Sequence, residues 1–162
     1  MAILRTACAM LLVGMLGAAL PARAADVLLK VDATAVGGRT LSLDLAGLDA
    51  LPQVSFSSST PWTQGVHKFS GPALKTILDL VGAKKGIALA VALNNYSVKI
   101  PVNETEAEAP VVVTRIDDKT YGVRDKGPLW VLYPFDSSPK YRTEVNDARS
   151  IWQLTKLTVV PQ

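Results

Sequence analysis

The sequence predicts a β-rich α+β domain behind a removable export segment. Three observations carry this. Short apolar or β-branched runs recur between Gly, Pro, Asn and Asp turn signals. One stretch alone, Pro72 to about Val81, has helical periodicity, with Leu74, Ile77, Leu78 and Val81 on one stripe. Residues 1–24 follow the order of a secretory signal: Arg5, an apolar run from Ala7 to Leu20, Pro21, then the small-residue site Ala22-Arg23-Ala24.

The elements follow in order. Val27 to Val31 and Thr40 to Leu45 read as strands joined through Gly37-Gly38, and Ala46 to Pro52 as a short helical turn. Val54 to Ser58 alternates as a half-buried strand does, until Thr60-Pro61-Trp62 breaks it. Ser70 and Gly71 cap the helix, Pro72 suits its first turn and Gly82 stops it. Ile87 to Leu93 and Tyr96 to Val102 form a hairpin about Asn94-Asn95. Asn103 to Ala109 is an acidic loop, and Val111 to Ile116 a buried strand. Tyr121 to Val123 is expected as a short strand and Asp125 to Pro128 as a turn; Leu129 to Tyr133 is strongly apolar. Asp136 to Asp147 is expected as a polar loop. Ile151 to Val160 closes the domain, its apolar phase shifting between Leu154 and Leu157 as at a bulge.

The apolar run of residues 7–20 is shorter than the ~20 residues a membrane-spanning helix requires. A signal peptide over 1–24 is therefore expected, then one domain over 25–162 with no transmembrane segment, in the periplasm or secreted. Arg5 stands alone, so the twin-arginine route for folded proteins is not indicated. The only cysteine, Cys8, lies in the removed segment, which leaves the mature chain without disulfides, thiolate metal sites or a cysteine nucleophile. The net charge of +3 includes Arg5 and Arg23, so bulk charge gives no support to nucleic-acid binding.

Three stretches carry a family likeness: Phe69-Ser70-Gly71-Pro72 with Leu74 and the Leu78 to Gly82 helix end; Asn95-Tyr96 with Ile100-Pro101; and Asp125-Lys126-Gly127-Pro128-Leu129 running into Tyr133-Pro134, with Trp152-Gln153-Leu154 beyond. In this order they resemble the molybdopterin-binding domain of the sulfite oxidase family, and more closely its short exported relatives. The likeness spans about Leu41 to Val160. It implies curved mixed sheets with one main helix and a pterin pocket. It also implies a cysteine ligand for molybdenum just before the helix, where this chain has Ser57, Ser58, Ser59 and Thr60. Trp130 follows Pro128-Leu129 where the family commonly has arginine, and Ile151 stands where a lysine often precedes the late tryptophan. The expectation is the fold without the redox chemistry: no resident cofactor, with molybdopterin as the alternative.

Four groups of residues bear on function. His67 is the only histidine and has no partners for a metal site in the sequence, so it reads as a surface residue. Glu104, Glu106 and Glu108 read as a solvated acidic face rather than a cation site. Arg124, Asp125, Lys126 and Gly127 have two readings, an ordinary charged turn or an anion clamp. Trp62, Tyr96, Trp130, Tyr133, Tyr141 and Trp152 are core or rim aromatics, or the lining of a ligand groove shared with Asn95 and Arg149. The ligand-binding set expected is Asn95, Tyr96, Arg124, Asp125, Lys126, Gly127, Tyr133, Tyr141, Arg149 and Trp152, with no catalytic or metal-binding residue.

The function expected is an exported, non-catalytic ligand-binding or accessory module of the cell envelope, serving a small anionic ligand or a partner protein. The alternatives are a minimal molybdopterin-dependent oxidoreductase with a non-cysteine ligand, and an extracytoplasmic sensor partner of a membrane signalling protein.

Overall fold

The structure, a computed structural model, describes residues 26–162. The expected signal segment and Cys8 lie outside the described residues. Ten strands and three helices follow one another as β1 (Leu29–Asp32), β2 (Thr40–Leu43), α1 (Leu45–Asp49), β3 (Gln53–Ser59), β4 (Val66–Pro72), α2 (Leu74–Leu80), β5 (Ile87–Ala92), β6 (Ser97–Pro101), β7 (Val111–Val113), β8 (Arg115–Ile116), β9 (Trp130–Leu132), α3 (Glu144–Arg149) and β10 (Leu154–Val160). The described chain is thus β-rich and α+β, with α2 the longest helix. No described helix is long and apolar enough to cross a membrane.

The largest sheet is mixed, in the order β2-β1-β10-β5-β6. Its one parallel pair joins the first and last strands, with Lys30 opposite Lys156 and Asp32 opposite Thr158. Strands β3, β4 and β8 make a second sheet, and β7 with β9 a third. Alternation along β1 and β5 buries Leu29, Val31, Ala88, Ala90 and Ala92 on one face, against Leu74, Ile77 and Leu78 of α2. A second cluster gathers Phe69, Val111, Val113, Trp130, Leu132, Tyr133 and Phe135 between the two smaller sheets.

The Phe69-Ser70-Gly71-Pro72 stretch serves this packing. A Cβ on Gly71 would lie 2.0 Å from the carbonyl oxygen of Val112, so β4 crosses β7 closer than any side chain permits. Pro72 does not open the helix as its position suggested. It ends β4, Ala73 bridges to Val111, and the Leu74 amide donates to the Pro110 carbonyl at 2.8 Å. The helix begins only at Leu74, because strand pairing claims the preceding residues.

Two other expectations are corrected. Tyr121 to Val123 is no strand: Val123–Asp125 is a 3-10 turn, and the Tyr121 hydroxyl donates to the Val113 carbonyl at 2.9 Å. The polar stretch after Asp136 contains α3, capped by Thr143, whose hydroxyl accepts from the Asn146 amide at 3.2 Å. Thr34–Val36 and Val102–Glu104 are further 3-10 turns. The phase shift expected between Leu154 and Leu157 is present, as a register irregularity against β5 between Leu154 and Lys156.

Candidate functional site

A cavity of about 310 Å³ opens where the β3–β4 turn, the β5–β6 turn and the end of α3 converge. Its walls are Trp62, Tyr96 and Trp152, with Ala92, Asn94, Asp147, Ala148, Ser150 and Ile151. Trp62 is placed by a hydroxyl pair: Thr60 Oγ1 accepts from the Trp62 amide at 3.2 Å and lies 2.8 Å from Thr63 Oγ1. Trp152 is placed by a bridge to Trp130 and by its neighbour Gln153. The Gln153 amide donates to the Lys126 carbonyl at 3.0 Å, and its side chain to the Val123 carbonyl at 2.9 Å.

Three indoles pack together at this site. The Trp62 and Trp130 centroids lie 5.7 Å apart, Trp62 and Trp152 6.0 Å, and Trp130 and Trp152 6.3 Å, all edge to face. Trp130 is fully buried and donates Nε1 to the Ser150 carbonyl at 3.3 Å. Trp152 and Tyr96 remain 38% and 56% exposed, so two rings of the lining still face solvent. Leu93 and Val123 are also exposed, and both bond Gln153: the Leu93 amide donates to its carbonyl at 2.9 Å, and the Val123 carbonyl accepts from its side chain at 2.9 Å.

The polar groups of the lining are few. Asn94 Oδ1 accepts from the Tyr96 amide at 3.1 Å, and the Ser150 hydroxyl donates to the Asn146 carbonyl at 2.8 Å. The Asp147 carboxylate has no hydrogen-bond or ion-pair partner among the described residues, and the lining includes no lysine or arginine. The arrangement offers aromatic rings, one carboxylate, one amide and one hydroxyl: a binding surface for a small molecule.

The expected site residues divide among three places. Tyr96 and Trp152 line the cavity; Asn95 occupies the left-handed turn position at φ 64, and its neighbour Asn94 takes the lining place. The Arg124 to Gly127 turn is not in the lining and bonds Gln153, next to Trp152, through the Lys126 carbonyl. Its Gly127 is needed for packing, since a Cβ there would meet the Tyr121 carbonyl oxygen at 2.2 Å, and its Lys126 takes a left-handed conformation at φ 70. Arg124 and Asp125 are exposed.

Tyr141 and Arg149 belong to a charged ridge, and Tyr133 is buried in the second cluster with its ring 6.3 Å from that of Tyr141. Arg149 donates to Glu104 at 2.6 Å, and Lys140 and the Tyr141 hydroxyl both bond Glu106, at 2.8 and 2.7 Å. Burial pushes the Tyr133 hydroxyl up to about 12, with the Arg149 charge opposing. The bond from Lys140 holds the Glu106 carboxyl below its ordinary range. Two of the three acidic-loop carboxylates are thus tied to cations. The lining residues that the sequence reading missed are Ala92, Asn94, Asp147, Ala148, Ser150 and Ile151. The Thr143 cap followed by Glu144 was the available signal, since it starts a helix and carries Asp147 one turn on.

The segment that the resemblance assigns to the metal ligand has no soft donor. Ser58 is fully buried; its hydroxyl donates to the Ser59 carbonyl at 2.9 Å and accepts from the Asp136 amide at 3.2 Å. Ser59 bonds Asp136 through both its amide and its hydroxyl, and Arg142 closes the group onto the same carboxylate. Hard hydroxyls already engaged in backbone and carboxylate bonds do not fit a thiolate-bound molybdenum. Among the described residues no group of three His, Cys, Asp or Glu side chains converges as a metal site.

The fold and site together define a β-rich α+β domain with an aromatic-walled cavity. No protein-family model matches this chain, and no curated protein matches it.

Proposed function

We propose that the chain is an exported, non-catalytic binding module of the cell envelope, periplasmic or secreted once residues 1–24 are cleaved. In this reading it has the fold of a sulfite-oxidase-like molybdopterin-binding domain and carries no molybdenum. The ordered motifs and the β-rich architecture with one mixed sheet support the fold part. The engaged hydroxyls of Ser58 and Ser59, where a thiolate is required, support the loss of the metal. The observation that carries the binding role is the cavity of about 310 Å³ walled by Trp62, Tyr96 and Trp152.

The test is native mass spectrometry of protein taken from its own compartment. A bound small molecule that is lost in Trp152→Ala, with the circular dichroism spectrum retained, is the expected result. A bound pterin, or a ligand retained unchanged in both Trp152→Ala and Tyr96→Ala, contradicts the reading.

A further inference from the structure

We infer that the Trp62–Tyr96–Trp152 cavity is a site for a small soluble organic cation, an alkylammonium or quaternary ammonium group. The inference rests on the binding-module reading and names the ligand class of the same site.

Charge and ring chemistry carry it. Trp62, Tyr96 and Trp152 line the cavity, and the face of an aromatic ring is the negative end of a quadrupole that attracts cations, with Trp the strongest. Asp147 adds a full negative charge with no partner among the described residues. The nearest basic residue along α3, Arg149, is committed to Glu104 at 2.6 Å. The cations of the Arg124 to Lys126 turn do not line the cavity. An anion would meet aromatic rings and a carboxylate with no lysine or arginine in the lining to neutralise it. A cation meets the same groups favourably, and the cavity volume is at the small end of those that hold small molecules.

The experiment uses the mature protein and three probes of one shape: choline, its neutral carbon isostere 3,3-dimethylbutan-1-ol, and the anion 3,3-dimethylbutanoate. Binding is read from the indole N–H resonances of Trp62 and Trp152. Choline is expected to shift both saturably and to bind about tenfold more tightly than the isostere, with the anion weakest. Asp147→Asn should weaken choline about fivefold while leaving the isostere unchanged, and Tyr96→Ala, at an exposed position, should weaken choline without unfolding the domain. If the isostere or the anion binds as tightly as choline, the cationic class is overturned. The cavity still stands as a site if Tyr96→Ala weakens that binding. If no probe moves either indole at tens of millimolar, the cation inference is overturned, and the module reading is then judged by the native mass spectrum alone.

Discussion

His67 and Asp117 face each other across the β4–β8 edge, with Nδ1 2.7 Å from Oδ2, while His67 Nε2 lies 2.9 Å from the Gln64 carbonyl. Both partners are acceptors, so both bonds form only when the ring carries two protons. The Gln64 bond also ties down the turn that places Trp62.

The pH dependence follows from the shifts of the two groups. The bond to Asp117 raises the His67 pKa above its ordinary value, against a smaller opposing effect of burial. The stability this adds is complete below about pH 6.5 and is lost as pH rises through the folded-state pKa. Bonds from His67 and the Lys68 amide lower the Asp117 pKa, so its contribution is present above the ordinary carboxylate range and is lost on acidification. Lys68 pairs with Asp118 at 2.8 Å, and Lys119 adds positive charge near Asp117. Denaturant midpoints should therefore fall as pH rises above about 6.5 in the wild type, and His67→Gln should flatten that slope. An unchanged slope in the variant would place the dependence elsewhere.

Ser58→Ala should destabilise the domain by about 1 kcal/mol, because the fully buried Ser58 hydroxyl no longer accepts from the Asp136 amide. Urea denaturation measures this. A neutral effect would mean that the Ser58 hydroxyl is free for another role.

Gly71→Ala should cost about 3 kcal/mol, since its Cβ meets backbone rather than a movable side chain. Gly65→Ala provides contrast: it sits at φ 75 with open space, so only its backbone conformation is penalised, by about 1 kcal/mol. Equal melting temperatures for the two variants would contradict the close β4–β7 crossing.

Much of the fold was legible because its elements obey local rules. Alternation in Val54 to Ser58, the stripe of Leu74, Ile77, Leu78 and Val81, and Asn94-Asn95 between two apolar runs each translate into an element near the expected place. What was not legible depends on distant partners. Pro72 reads as a helix start until Val111 is known to pair beside it, and the parallel pairing of β1 with β10 joins opposite ends of the described chain. α3 was hidden because Glu144 to Arg149 lacks an apolar stripe, and with it went Asp147. Tyr96 and Trp152 stand out as aromatic residues in turn-rich stretches, whereas Asn94 and Ile151 join the lining only through tertiary placement.

The most direct test of the central claim, a binding module without molybdenum, is elemental analysis of protein purified from its native compartment after molybdate-replete growth. The account predicts molybdenum far below one atom per chain and no dye-linked turnover of sulfite or sulfoxides, because among the described residues no thiolate stands before α2 and Ser58 is already bonded. Near-stoichiometric molybdenum accompanied by turnover would contradict it and establish the oxidoreductase alternative.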